Sequence, residues 1–259
     1  MEKLTAAQAA RPAGMGEAEW ALRLELAACY RVFAHLGWTE LIFNHITVRV
    51  PGGERHYLIN PFGLHYREVT ASNLIKVGLD GAPAHETPHS VNRAGFVIHS
   101  AIHAARANVH CIMHTHTTAG MAVAQKEAGL THDDFYGAQL WGGVAYHDFE
   151  GVTTRTEEQA ALVQSLGEKN VLILRNHGLL VCEENIPAAF WLLWTLQRAC
   201  EVQLAAASIP GPNRALSDEV RARCMHKEHQ VVDPQNRVAQ KIFDAMLRQA
   251  GITSYDMLV

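Results

Sequence analysis

The chain has 259 residues, 48% hydrophobic and 19% charged, which is enough to bury a core in one large or two small domains and excludes a disordered chain. Lys and Arg number 22 against 26 Asp and Glu, and the formal charge of −4 provides neither a basic nucleic-acid footprint nor an acidic tail. Apolar runs such as 188–196 fall short of the roughly 20 residues that span a bilayer, and the start lacks a signal peptide's hydrophobic stretch. The expectation is a cytoplasmic protein with no membrane and no nucleic-acid partner.

Residues 1–17, with Pro12 and Gly14, read as a flexible N-terminus. Apolar residues at helical spacing over 18–36 predict a helix that ends at Gly37. The pattern then turns β-rich. Strands are predicted over 46–50 and 57–59 around a Pro51-Gly52-Gly53 turn, then a helical turn at 70–73 and a strand at 74–79 closed by Asp80-Gly81. Beyond this, helices at 96–106, 118–128 and 157–166 alternate with strands at 109–114, 144–146, 171–174 and 179–181. A long apolar helix at 186–207 follows, so helices cover a mixed sheet in layers. Ile209-Pro210-Gly211-Pro212 breaks the pattern, which makes 18–207 the expected domain and 208–259 a C-terminal appendage of two amphipathic helices.

Five cysteines without a CxxC pair argue against a disulfide framework or a thiolate zinc knot. The compositional surplus is 16 histidines, the commonest metal ligands. His114 and His116, two apart at a strand's end, point to one face, where both imidazoles reach one ion. His177, before Gly178 at the end of the strand 171–174, is a candidate third ligand, and three neutral imidazoles leave positions open for water or substrate. A rival pair, His99 and His103, has ligand spacing along one helix face, and its alternative is hydrogen-bonded packing. No phosphate-binding glycine loop or nucleophile motif is present.

The string from Asn92-Arg93-Ala94-Gly95 through His99 and His103 to His114-Thr115-His116-Thr117 resembles the class II aldolase/adducin family. Leu172-Ile173-Leu174-Arg175-Asn176-His177-Gly178, Asn44-His45-Ile46-Thr47-Val48-Arg49 and Ile59-Asn60-Pro61-Phe62-Gly63 match further blocks in the right order, and the adducin-like bacterial branch is the nearest. The resemblance implies a three-layer α/β/α sandwich on a mainly antiparallel sheet. It also implies a small-molecule substrate and a homotetramer with active sites at subunit boundaries. His114, His116 and His177 map onto the histidines that hold a divalent metal, usually Zn²⁺, with Mn²⁺ and Fe²⁺ as alternatives. Asn44, Gly63 and Arg93 map onto substrate-binding positions, Tyr136 lies near a tyrosine that reaches a neighbouring active site, and Tyr146-His147-Asp148 matches a block near the site's rim.

The sequence departs from the aldolases at the glutamate that serves as their general acid/base, nineteen residues before the first metal histidine, where this chain has Gly95. Arg93, Ala94 and Phe62 replace residues that help bind substrate phosphate. Glu86 and Tyr136 are candidate substitutes for the missing acid, against a solvated loop carboxylate and a packing aromatic as alternatives. The first functional reading is a metal-dependent carbon–carbon lyase, an aldolase or decarboxylase, acting on a small hydroxy acid, keto acid or sugar-derived substrate. In it Arg93 holds a carboxylate bidentately, and decarboxylation needs an electron sink more than a base. The alternatives are a non-catalytic binding module like the adducin head, with an actin-type or other protein partner, and an iron-dependent oxygenase. Restoring glutamate at position 95 is expected to permit some aldol cleavage unless it clashes with substrate or metal.

Overall fold

The computed structural model describes residues 11–52, 55–152, 155–224 and 237–259; the first ten residues and Gly53 of the expected turn lie outside them. Strands β1 (His45–Arg49), β2 (His56–Ile59), β3 (Ile75–Gly78), β4 (Cys111–Thr115), β5 (Val144–His147), β6 (Val171–Leu174) and β7 (Gly178–Glu183) form one sheet. Its order is β3-β2-β1-β4-β7-β6-β5, antiparallel throughout except for the parallel β5–β6 pair. This is the mainly antiparallel sandwich expected of the resemblance.

Alternation along the strands sorts the side chains into two layers. Ile46, Val48, Cys111, Met113, Ile173 and Val181 pack on one face under α1 (Glu17–Leu36), α3 (Thr118–Ala124) and α6 (Ile186–Ala207). Ile112, Leu172, Leu180 and Cys182 face the other way, toward α2 (Arg93–Ala105) and α5 (Gln159–Leu166). Each large apolar side chain so buried contributes about 1.5–3 kcal/mol. Helix ends follow local chemistry. Gly37, at φ 71°, closes α1 by donating its N–H to carbonyls of the last turn, and the Asn185 side chain accepts the Ala188 N–H at 2.9 Å to start α6.

Two elements differ from the reading of the sequence. The helix from Thr118 stops at Ala124 rather than at 128, because the Ala124 carbonyl accepts the Asn176 N–H at 3.2 Å instead of continuing the helical ladder. A short helix, α4 (Phe135–Gln139), goes unpredicted, since five residues are too few for periodicity. Its signal is Asp134, whose carboxylate accepts the N–H groups of Tyr136 and Gly137 at 2.8 and 3.0 Å.

After α7 (Asp218–Cys224), helix α8 (Arg237–Gln249) lays Phe243, Met246 and Leu247 into the main core, with the Phe243 ring 5.7 Å from Phe190 on α6. On α1, burial first and then the Asp244 charge on α8 raise the Glu25 carboxyl to about 7, with Cys29 and Tyr255 also near. The folded chain therefore keeps a proton that the unfolded chain releases near the ordinary glutamate value. The stability linked to this proton is complete at low pH and is lost as pH rises toward and through about 7. Glu25→Gln should leave the thermal midpoint at pH 5 nearly unchanged and raise it by a few degrees at pH 8, as read by circular dichroism.

Candidate metal centre

Three histidines reach one point from two neighbouring strands. β4 carries His114, aligned with Leu180 of β7, and His116 follows the end of β4. His177 sits in the tight turn between β6 and β7. That turn is pinned by Arg175 donating its N–H to the His147 carbonyl at 2.8 Å and by His177 donating to Leu174 at 3.0 Å. Asn176 takes φ 56°, a left-handed conformation that asparagine tolerates better than most residues. Gly178 is required for space, because a Cβ there would collide with the Thr115 carbonyl and lie 3.0 and 3.2 Å from the rings of His116 and His114.

The donor nitrogens of His114, His116 and His177 all lie within 4.8 Å of one another. Leu179's carbonyl can only accept, so its 2.9 Å contact with His114 Nδ1 places the proton there and leaves Nε2 as a free lone pair. That Nε2 lies 2.7 Å from His116 Nε2. Burial lowers the pKa of all three rings: His114 well below the usual histidine range, His116 less so against the opposing charge of Glu40, and His177 to about 4 with His116 and His147 adding to the effect. Near neutral pH the set is three uncharged imidazoles, a donor set suited to zinc, iron and similar divalent ions. The residues fit a metal.

The substrate-binding candidates gather at the N-terminal end of α2, where the Asn92 side chain accepts from Ala94 and donates to the Phe43 carbonyl at 3.2 Å. Asn44 is buried, with Nδ2 donating to the Trp38 carbonyl at 3.3 Å and Oδ1 lacking a partner among the described residues. Arg93 is exposed, 5.5 Å from the Phe96 ring. Gly63, at φ 99°, follows Phe62, whose ring lies 6.3 Å from Phe43. Tyr136 packs against the core and, among the described residues, no ring contact or hydrogen bond ties it to the three histidines within one chain. Glu86 is exposed in the loop before α2. Tyr146 accepts the Leu130 N–H at its hydroxyl, and His147 contacts Ser165 at 2.9 Å.

The rival histidine pair is not part of the cluster. His99 and His103 both contact the Thr47 hydroxyl, at 2.7 and 2.8 Å, and are fully buried, which is the packing alternative. Three residues near the histidines escaped the sequence reading. His45 aligns with His114 across β1 and β4, its ring centroid 5.0 Å away, Phe149 lies 6.2 Å from His177, and the Glu40 charge acts on His116. Only the β1 pairing could have revealed His45, and nothing local marks the other two.

The pattern that defines the Class II Aldolase and Adducin N-terminal domain matches residues 24–204. The chain belongs to this family. It is 48% identical over 196 residues to a Pseudomonas aeruginosa protein named only provisionally as a class 2 aldolase, a match covering 76% of this chain and 75% of that one. Alpha-adducin of Rattus norvegicus is 42% identical over 246 residues, 90% of this chain and 33% of its own length. Among solved structures, an aldolase II superfamily protein from Pseudomonas syringae superposes at TM-score 0.87 with 38% identity, covering 95% of this chain and 98% of that one. L-fuculose 1-phosphate aldolase from Glaciozyma antarctica gives 0.77 with 31% identity over 93% and 95% of the two chains. This class II aldolase/adducin-type domain carries its three-histidine cluster on a fold shared with an aldolase. Gly178→Ala should lower the thermal midpoint by several degrees and weaken metal uptake, as measured by scanning calorimetry and metal titration.

Proposed function

We propose that this protein is a metal-dependent carbon–carbon lyase, cleaving or decarboxylating a small hydroxy acid, keto acid or sugar-derived substrate. The observation that supports this reading is the convergence of three uncharged histidine donors, His114, His116 and His177, with His114 oriented by the Leu179 carbonyl. Zn²⁺ is the favoured ion. When bound, it supplies a Lewis acid that polarises a carbonyl oxygen and accommodates the charge left as a carbon–carbon bond breaks. Arg93, exposed at the first turn of α2, binds a substrate carboxylate, for which its planar fork is suited. Asn44 and Gly63 serve the same substrate, beside the paired rings of Phe43 and Phe62, whose centroids lie 6.3 Å apart. Tyr136 serves as the proton donor of a neighbouring subunit's site in a cytoplasmic homotetramer.

The likeness to alpha-adducin favours a second reading, a binding module that keeps the histidines without turnover. Metal content decides between them. Protein purified without a tag or added metal should carry near one Zn²⁺ or Mn²⁺ per chain. Iron would move the search to oxygen-dependent reactions, and a site that refuses added metal would favour the binding module. Alanine at His114 or His177 should abolish occupancy in elemental analysis, whereas His99→Ala should keep it near wild type, at the expense of stability. With metal bound, a panel of 2-keto and 2-hydroxy acids should yield an aldehyde or carbon dioxide, and Arg93→Ala should raise KM about tenfold or more.

A further inference from the structure

Glycine is the poorest helix former after proline, and Gly95 stands in the first turn of α2 with no left-handed backbone angle to require it. Space is the reason. A Cβ at position 95 would lie 2.7 Å from Cδ2, 2.9 Å from Cγ and 3.1 Å from Nε2 of His45. The imidazole therefore stands where a side chain at 95 would begin. It has little freedom to leave, because His45 Nδ1 contacts His99 Nε2 at 3.0 Å, His99 Nδ1 contacts the Thr47 hydroxyl at 2.7 Å, and the same hydroxyl contacts His103 Nε2 at 2.8 Å. All four residues are buried, and the Tyr57 ring stacks on His103 with centroids 5.0 Å apart. On its other side the His45 ring lies against His114, directly across the β1–β4 ladder.

From this packing we infer that His45 and Gly95 are a matched steric pair and that His45, locked by the His99–Thr47–His103 chain, is a positioning residue that sets the ring of His114. The volume beside the histidine cluster is filled from β1 instead of from α2. Position 95 is closed to any side chain while His45 is present. A glutamate placed there alone finds no room beside His45, so Gly95→Glu, expected from the sequence to permit some aldol cleavage unless it clashed with substrate or metal, meets a clash with His45 first. Room for it exists only beside a small residue at 45.

The steric half of the inference stands without any metal, whereas the positioning half rests on the metal-binding reading above. The first test is a thermal double-mutant cycle on metal-free protein. Gly95→Ala should lower the midpoint by roughly 4–8 °C, and the same change made in His45→Ala should cost nothing or raise it. Equal losses in both backgrounds would overturn the pairing, and the double variant keeps the test valid if Gly95→Ala alone fails to fold. The second test is the visible spectrum of Co²⁺-loaded protein. His45→Ala should shift its bands and weaken Co²⁺ binding about tenfold, while Glu168→Ala, an exposed change in the turn after α5, leaves both unchanged. An unaltered spectrum and affinity in His45→Ala would refute positioning. If the wild type takes up no Co²⁺, the positioning half falls together with the metal reading, and the thermal cycle alone decides the pairing.

Discussion

The antiparallel pairing of β4 with β7 is the constraint on which the rest of the site depends. It aligns His114 with Leu180 and Thr115 with Leu179, so that the turn carrying His177 is delivered beside the end of β4. The Leu179 carbonyl belongs to this ladder, and its acceptance of the His114 N–H means that strand register and ring tautomer are set together. A slip of one residue would turn the histidines to the opposite face and separate them from that carbonyl. The absent side chain at Gly178 lets the two segments approach closely enough for this to work.

The site is asymmetric in its surroundings. Toward β1 and α2 it is backed by a seam of buried polar side chains, His45, His99, Thr47 and His103, that bond to one another. Such a seam is costly to bury unless nearly every member is satisfied, and it rigidifies what it touches. Toward solvent, the exposed Phe149 ring lies 6.2 Å from His177.

Much of this was legible in the sequence because it rests on short-range pattern. Alternation and helical spacing located every strand and the long helices, and the spacing of His114 and His116 pointed to one face. What was not legible depends on contacts distant in sequence. Ala124 ends α3 because Asn176, fifty-two positions later, takes its carbonyl. Gly95 reads in the sequence as the loss of a functional group, whereas in three dimensions it is a gap filled by a residue from another element. His99 and His103 have ligand spacing, yet the strand beneath α2 offers them a hydroxyl at Thr47 rather than an ion.

The C-terminal part has a consequence for how the chain acquires its structure. Phe243 meets Phe190, and the Leu258 carbonyl accepts the Ala71 N–H at 2.6 Å, both well beyond residue 204, where the family match ends. Core positions between α1 and α6 thus await side chains that are synthesised after the sheet and after α6 itself. A nascent domain that had formed its sheet before then would hold an apolar trench open along one side, exposed to aggregation until α8 docked.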